Sequence, residues 1–165
     1  MKRSVCAAFL ALAACGGKEE PAAVQTAPVF RDRSVMISTP AVFDAAAFMG
    51  EWNVIARIPE AGLPPCAAIV EFTATDGGYS IAEGCAGGAA YRAATGPMTM
   101  PGRFATDPAV WVLWVAQDGG SAIIGRPDGS MGMIINRGTS MNGDRYRAAR
   151  EVMDFNGYDV SQLVR

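Results

Sequence analysis

The 165-residue chain contains no histidine. That absence removes serine–histidine and cysteine–histidine catalysis, histidine-ligated haem and most zinc sites together. No enzyme activity, catalytic residue, metal or cofactor is therefore expected. Paired carboxylates do not fill the gap, because Glu71 and Glu83 read as outward-facing strand residues and Asp107 and Asp118 as turn residues. The net charge is −2 with no long basic run, so nothing attracts a nucleic-acid backbone. Apolar runs all fall short of the roughly 20 residues a spanning helix requires. Cysteine is scarce as well, with four in all: Cys6, Cys15, Cys66 and Cys85.

What is present begins with Lys2 and Arg3, an apolar stretch from Ser4, and then Leu12-Ala13-Ala14-Cys15. This is the pattern of a signal peptide ending in a lipobox, with small residues ahead of a cysteine that receives lipid. Residues 1–14 read as the signal peptide, and the mature chain begins at an acylated Cys15 that anchors it to a membrane. Each buried lipid CH₂ contributes about 0.8 kcal/mol, so several chains on one residue give a durable anchor. An ordinary secretory signal is the alternative. Gly16 follows Cys15 where an aspartate would favour inner-membrane retention, which points to the outer membrane of a bacterial envelope, facing the periplasm. Residues 15–38, rich in Gly, Lys, Glu, Pro, Ala and Thr, read as a lipidated flexible tether, and 39–165 as one domain.

Cys66 and Cys85 remain as a pair in a compartment where disulfides persist. They stand nearly equidistant from Asp76-Gly77-Gly78, a turn flanked by strand-like runs, so a hairpin places them opposite each other at its open end. A cross-strand disulfide is expected; two free thiols are the alternative. Short strand-like runs continue along the chain: 51–58, 67–74, 79–84, 89–94, 98–104, 110–116, 121–125 and 131–137. Turn elements such as Pro127-Asp128-Gly129 separate several of them. Eight strands in up-and-down antiparallel order close into a β-barrel without exposed edges. Near the C-terminus the period changes: Tyr146, Ala149 and Met153 lie at helical spacing, with Thr139 or Ser140 as cap and Gly157 as stop. One helix is expected to pack outside the barrel.

Gly50-Glu51-Trp52-Asn53-Val54-Ile55-Ala56-Arg57 is similar to the Gly-x-Trp-Tyr-Glu-Ile-Ala-Arg opening of lipocalins. The run from Gly125 through Pro127-Asp128 to Ile134-Ile135-Asn136-Arg137 is similar to their closing motif, and Gly157-Tyr158-Asp159 to a sequence after their helix. From Phe43 to the C-terminus the chain thus resembles the lipocalins, in particular the bacterial lipoprotein lipocalins and the apolipoprotein D group. The resemblance implies that Gly50, Trp52 and Arg137 form a barrel-closing motif, with Arg137 across the Trp52 ring and Gly50 keeping the chain's entry clear.

Taking Trp52 as inward, strand alternation also puts Val54, Ala56 and Ile58 inside, and similar phasing adds Val70, Phe72, Tyr79, Ile81, Val112, Trp114, Met133 and Ile135. This uncharged set suits a small hydrophobic ligand such as a fatty acid, lysophospholipid or similar lipid, held for storage or transport. Arg57, Arg92 and Arg103 are candidates for holding a ligand's acidic group near the mouth, against the commoner role of solvated surface residues. A filled barrel acting as a periplasmic inhibitor or scaffold is the alternative function. The pattern leaves room for a homodimer.

Overall fold

The computed structural model describes residues 29–60, 62–64 and 66–165. The expected signal peptide, the lipid-bearing Cys15 and the tether up to residue 28 lie outside them. A short helix α1 (Ala45–Phe48), N-capped by the Asp44 side chain, leads directly into the first strand. Nine strands follow: β1 (Gly50–Arg57), β2 (Ala67–Thr75), β3 (Gly78–Cys85), β4 (Ala90–Gly96), β5 (Met98–Met100), β6 (Arg103–Phe104), β7 (Val110–Val115), β8 (Ser121–Gly125) and β9 (Gly132–Asn136). They form one antiparallel sheet in the order β4-β3-β2-β1-β9-β8-β7-β6-β5.

The two outer strands, β4 and β5, follow each other in the chain across Pro97, so the sheet curls into a nearly closed barrel. At that corner the backbones nearly touch. The Ala105 N–H donates to the Pro97 carbonyl at 2.8 Å, and a Cβ on Gly96 would lie 2.3 Å from the Ala105 carbonyl oxygen. The nine strands differ from the expected eight because the run 98–104 is a hairpin. Pro101 lacks an N–H for the ladder and Gly102 takes a φ of 70°, so the chain reverses there and pairs Met98 with Phe104.

Helix α2 (Gly143–Phe155) packs across β7, β8 and β9. Its cap is Asn142, whose side chain accepts the Arg145 N–H at 2.8 Å, rather than Thr139 or Ser140. Asp118, in the β7–β8 turn, pairs with Arg145 at 2.7 Å and ties the helix start to the barrel. The strands divide their apolar residues between two cores. One fills the barrel, including Trp52, Val70, Phe72, Phe104, Ile124 and Met133. The other lies between the outer face and α2, including Ile55, Leu113, Ile123, Ile134, Ala149, Met153 and Tyr158.

Residues 29–38 are docked on this outer core instead of extending as a tether. Phe30 and Asp32 pair through their backbones with Gly129, Asp159 and Gly157, and buried Arg31 donates to the Asn156 carbonyl at 2.7 Å. Ser38 donates through both its N–H and hydroxyl to the Asn156 side chain. Phe30 and Ile37 pack on the outer core, and the Arg31 guanidinium is satisfied by three backbone carbonyls.

The barrel's closed end gathers Phe43, Phe48, Trp52, Phe72 and Phe104, with ring centroids 4.8–6.1 Å apart. Arg137, just past β9, lies over the Trp52 ring at 3.7 Å. It also donates to the carbonyls of Ala47, Phe48, Met49 and Glu51 at 2.9–3.0 Å, and Trp52 Nε1 donates to the Phe48 carbonyl at 3.0 Å. Cation and ring are worth about 1–2 kcal/mol in such a partly desolvated setting. Gly50 serves this end through conformation, not clearance. Its φ is 95°, while an added Cβ would meet only Arg137 Nη1, at 3.5 Å. Trp52→Ala is expected to lower unfolding free energy by about 3–5 kcal/mol, measured by urea denaturation. An unchanged midpoint would show that the ring does not close the barrel.

Candidate binding site

β1 starts at the closed end and finishes at the opposite one, where Arg57 pairs with Met133 and the Ile58 N–H meets the Gly132 carbonyl. The β8–β9 turn, beginning at Arg126, and the Cys66–Cys85 end of the β2–β3 hairpin complete this second rim. The two cysteines are joined as a disulfide, with Cα atoms 5.0 Å apart. That bond fastens Cys66, just before β2, to the end of β3 at this rim.

Of the expected lining, Val54, Val70, Phe72, Tyr79, Ile81, Val112, Met133 and Ile135 belong to the interior core. Ala56, Ile58 and Trp114 do not; all three pack in the outer core beneath α2. Bulges are the physical reason. The β1–β9 register shifts between Val54 and Ala56, and the β7–β8 register between Val112 and Trp114, so each strand changes phase partway along. Beyond the β7 shift, Val115 faces inward and Trp114 outward. Phe104, Val110, Ala122, Ile124 and Met131 are interior residues that alternation from Trp52 did not reach.

The β1 bulge also turns Arg57 inward, so the expectation of an uncharged interior does not hold. Arg57, Glu83 and Arg126 are only 9%, 5% and 7% exposed. Glu83 sits on β3 two residues beyond the interior Ile81, pointing into the barrel rather than outward as its charge suggests. Opposite it on β4, Arg92 bonds both Glu83 and Glu60, the latter carried by the β1–β2 loop. Arg126 Nη1 reaches Glu60 and the Ser130 hydroxyl, each at 3.4 Å, and the Tyr91 hydroxyl donates to Glu83 at 3.1 Å. Arg103, the third candidate arginine, is elsewhere: it stacks on Trp111 at 4.2 Å and contacts Thr39. Glu71 and Asp107 are exposed, in keeping with their expected roles.

Charges in this cluster are unevenly matched. Arg92 has two carboxylates, whereas the nearest carboxylate oxygen to Arg57 is that of Glu83 at 3.8 Å. Arg57 also has the Met133 sulfur at 3.7 Å from its Nη2 and lies beside the Tyr91 hydroxyl. Arg57 Nε and Nη1 and Arg126 Nε are buried without an acceptor among the described residues. Such donors each cost about 1–3 kcal/mol when left unpaired. Burial opposes ionisation of Glu60, but Arg92 and Arg126 outweigh it and hold the carboxyl below its ordinary value. Burial raises the Tyr91 pKa, so its hydroxyl remains a donor across the physiological range. Tyr158 fixes the rim from behind, donating to the Arg126 carbonyl at 2.7 Å; a Cβ on Gly125 would collide with that hydroxyl at 2.2 Å.

Residues 43–165 match the model of the lipocalin-like domain family, and the chain belongs to that family. Insecticyanin from the tobacco hornworm Manduca sexta has a similar fold, with a TM-score of 0.58 over 83% of this chain and 85% of that one at 15% identity. No curated protein matches the sequence significantly.

A depressed carboxylate pKa contributes stability that is present above the ordinary value near 4.5 and is lost as pH falls through the folded-state value. Hydrogen exchange in residues 58–66, corrected for intrinsic rates, should therefore stay constant from pH 7 to about 5 and accelerate only at lower pH. Glu60→Gln should show the accelerated pattern already at pH 7. Equal protection in variant and wild type would mean that Glu60 does not hold this loop.

Proposed function

We propose that this protein is a lipid-anchored, lipocalin-like binding protein that carries a small hydrophobic ligand in its barrel, an acyl lipid in the first instance. Its place would be the outer membrane, facing the periplasm. One observation carries the reading: the interior is apolar from a sealed end, plugged by Trp52 and Arg137, up to a buried charged cluster at the opposite end. A ligand entering there would meet Met131 and Met133, unbranched side chains that re-pack readily around flexible chains. A binding role needs no histidine and no catalytic constellation.

The tight packing of Phe48, Trp52, Phe72 and Phe104, all at most 3% exposed, supports the second reading, a filled barrel serving as inhibitor or scaffold. Native mass spectrometry of residues 15–165 carrying Cys15→Ser, followed by organic extraction, separates the two. Residues 29–38 must be retained because they are part of the fold. Co-purifying acyl lipid is the outcome expected of a carrier; an empty barrel that also takes up no added lipid would favour the scaffold. Anchoring has its own test. Radiolabelled palmitate should enter the full chain in bacteria and be absent from Cys15→Ser, and equal labelling of both would remove Cys15 as the acceptor.

A further inference from the structure

The charged cluster beneath the β1–β2 loop is unusual in its balance. Three guanidinium groups, Arg57, Arg92 and Arg126, face two carboxylates, Glu60 and Glu83, leaving one positive charge uncompensated. The surplus is localised. Glu60 and Glu83 both bond Arg92, while Arg57 keeps two buried N–H groups without acceptors and Arg126 keeps one. A buried guanidinium is stable when its planar fork is met by an anion that satisfies two donors at once. Leucine or methionine at position 57 would fill the space without that demand, so the arginine is costly unless an acceptor arrives.

We propose that Arg57 and Arg126 form the head-group site for a monocarboxylate amphiphile, a long-chain fatty acid, whose chain runs from them toward Trp52. This rests on the hydrophobic-ligand reading and narrows it to one chemical class. The geometry fits because Arg57 is the last residue of β1 and contacts the sulfur of the interior Met133. A carboxylate at the guanidinium therefore leads its chain into the apolar interior. Its single charge neutralises the cluster and its two oxygens match the fork, whereas a neutral alcohol offers one oxygen and no charge. A zwitterionic lysophosphatidylcholine would bring a cation that the surplus charge repels. The Tyr91 hydroxyl and Glu83 complete the ring beside Arg57: Tyr91 donates to Glu83, which keeps that carboxylate engaged and its repulsion of the incoming anion reduced.

The test uses residues 15–165 with Cys15→Ser and follows displacement of the neutral fluorophore N-phenyl-1-naphthylamine by palmitate, 1-hexadecanol and palmitoyl-lysophosphatidylcholine. Palmitate should bind roughly 10- to 100-fold more tightly than hexadecanol, the range for a charge-assisted hydrogen-bonded pair. Arg57→Gln and Arg126→Gln, each checked for an unchanged melting temperature, should bring palmitate down toward the alcohol and leave the alcohol unaffected. Carboxyl ¹³C NMR of labelled palmitate on the wild type gives a readout independent of the variants' folding: the bound carboxyl should stay ionised to lower pH than free acid. Equal binding of acid and alcohol to the wild type would overturn the head-group site while leaving a hydrophobic-ligand carrier. A preference for palmitate that survives both substitutions would overturn the assignment to these arginines. Failure of all three amphiphiles to displace the fluorophore would overturn the carrier reading along with it.

Discussion

Between Val54 and Ala56 the pairing of β1 with β9 slips by one residue, and the slip changes which face of the strand each later side chain occupies. Before it, Trp52 and Val54 point into the barrel. After it, Ile55, Ala56 and Ile58 cover the outside beneath α2, and Arg57 enters. Two requirements are met by this one irregularity. The outer core gains an aliphatic surface for the helix, and the interior gains a guanidinium at the loop-covered end. The Ile58 N–H and the Arg57 backbone retain partners in Gly132 and Val164, so the slip leaves the strand end anchored on both sides.

The two ends of the barrel use arginine in opposite ways. At the closed end Arg137 lies over an indole and its donors are taken up by four carbonyls, a saturated arrangement that locks α1, β1 and β9 together. At the other end Arg57 and Arg126 keep buried donors without an acceptor among the described residues, and Glu60 between β1 and β2 spends its charge mainly on Arg92. Saturation at one end and deficit at the other give the barrel a direction, with chemistry available at the end through which a molecule would pass.

Most of this architecture was legible in the chain. The Gly50-Glu51-Trp52 opening, the Pro127-Asp128-Gly129 turn, the cysteine pair about a turn and the helical stripe each report a local constraint that tertiary packing does not override. The interior lining was legible only where strands stay in phase. A bulge leaves no mark in the apolar pattern of β1, because Ile55, Ala56 and Ile58 are as apolar as the residues they replace inside. Trp114 was misplaced for the same reason, one shift along β7. Glu83 and Arg57 were hidden by their charge, since an isolated charged residue on a strand is ordinarily solvated; what buries them is each other and Arg92, and such mutual compensation is visible only in three dimensions. The lipobox expected around Cys15 lies outside the described residues, and the fold of the described domain neither requires nor opposes it.

The loop-covered rim is braced from several directions at once. The Cys66–Cys85 bond holds the end of the β1–β2 loop, Tyr158 holds the Arg126 carbonyl, and the docked strand around Arg31 holds Gly129 and Pro127 of the β8–β9 turn. Backbone around the cluster is thereby stiff, while the bonds from Glu60 to Arg92 and Arg126 are side-chain contacts that can exchange. On the proposed reading an entering anion exchanges with the Glu60 side chain, while Arg57 on β1 and Arg126 at the end of β8 stay in place. An anion bound there would take over donors already in place, and the energy of aligning them has been supplied by folding.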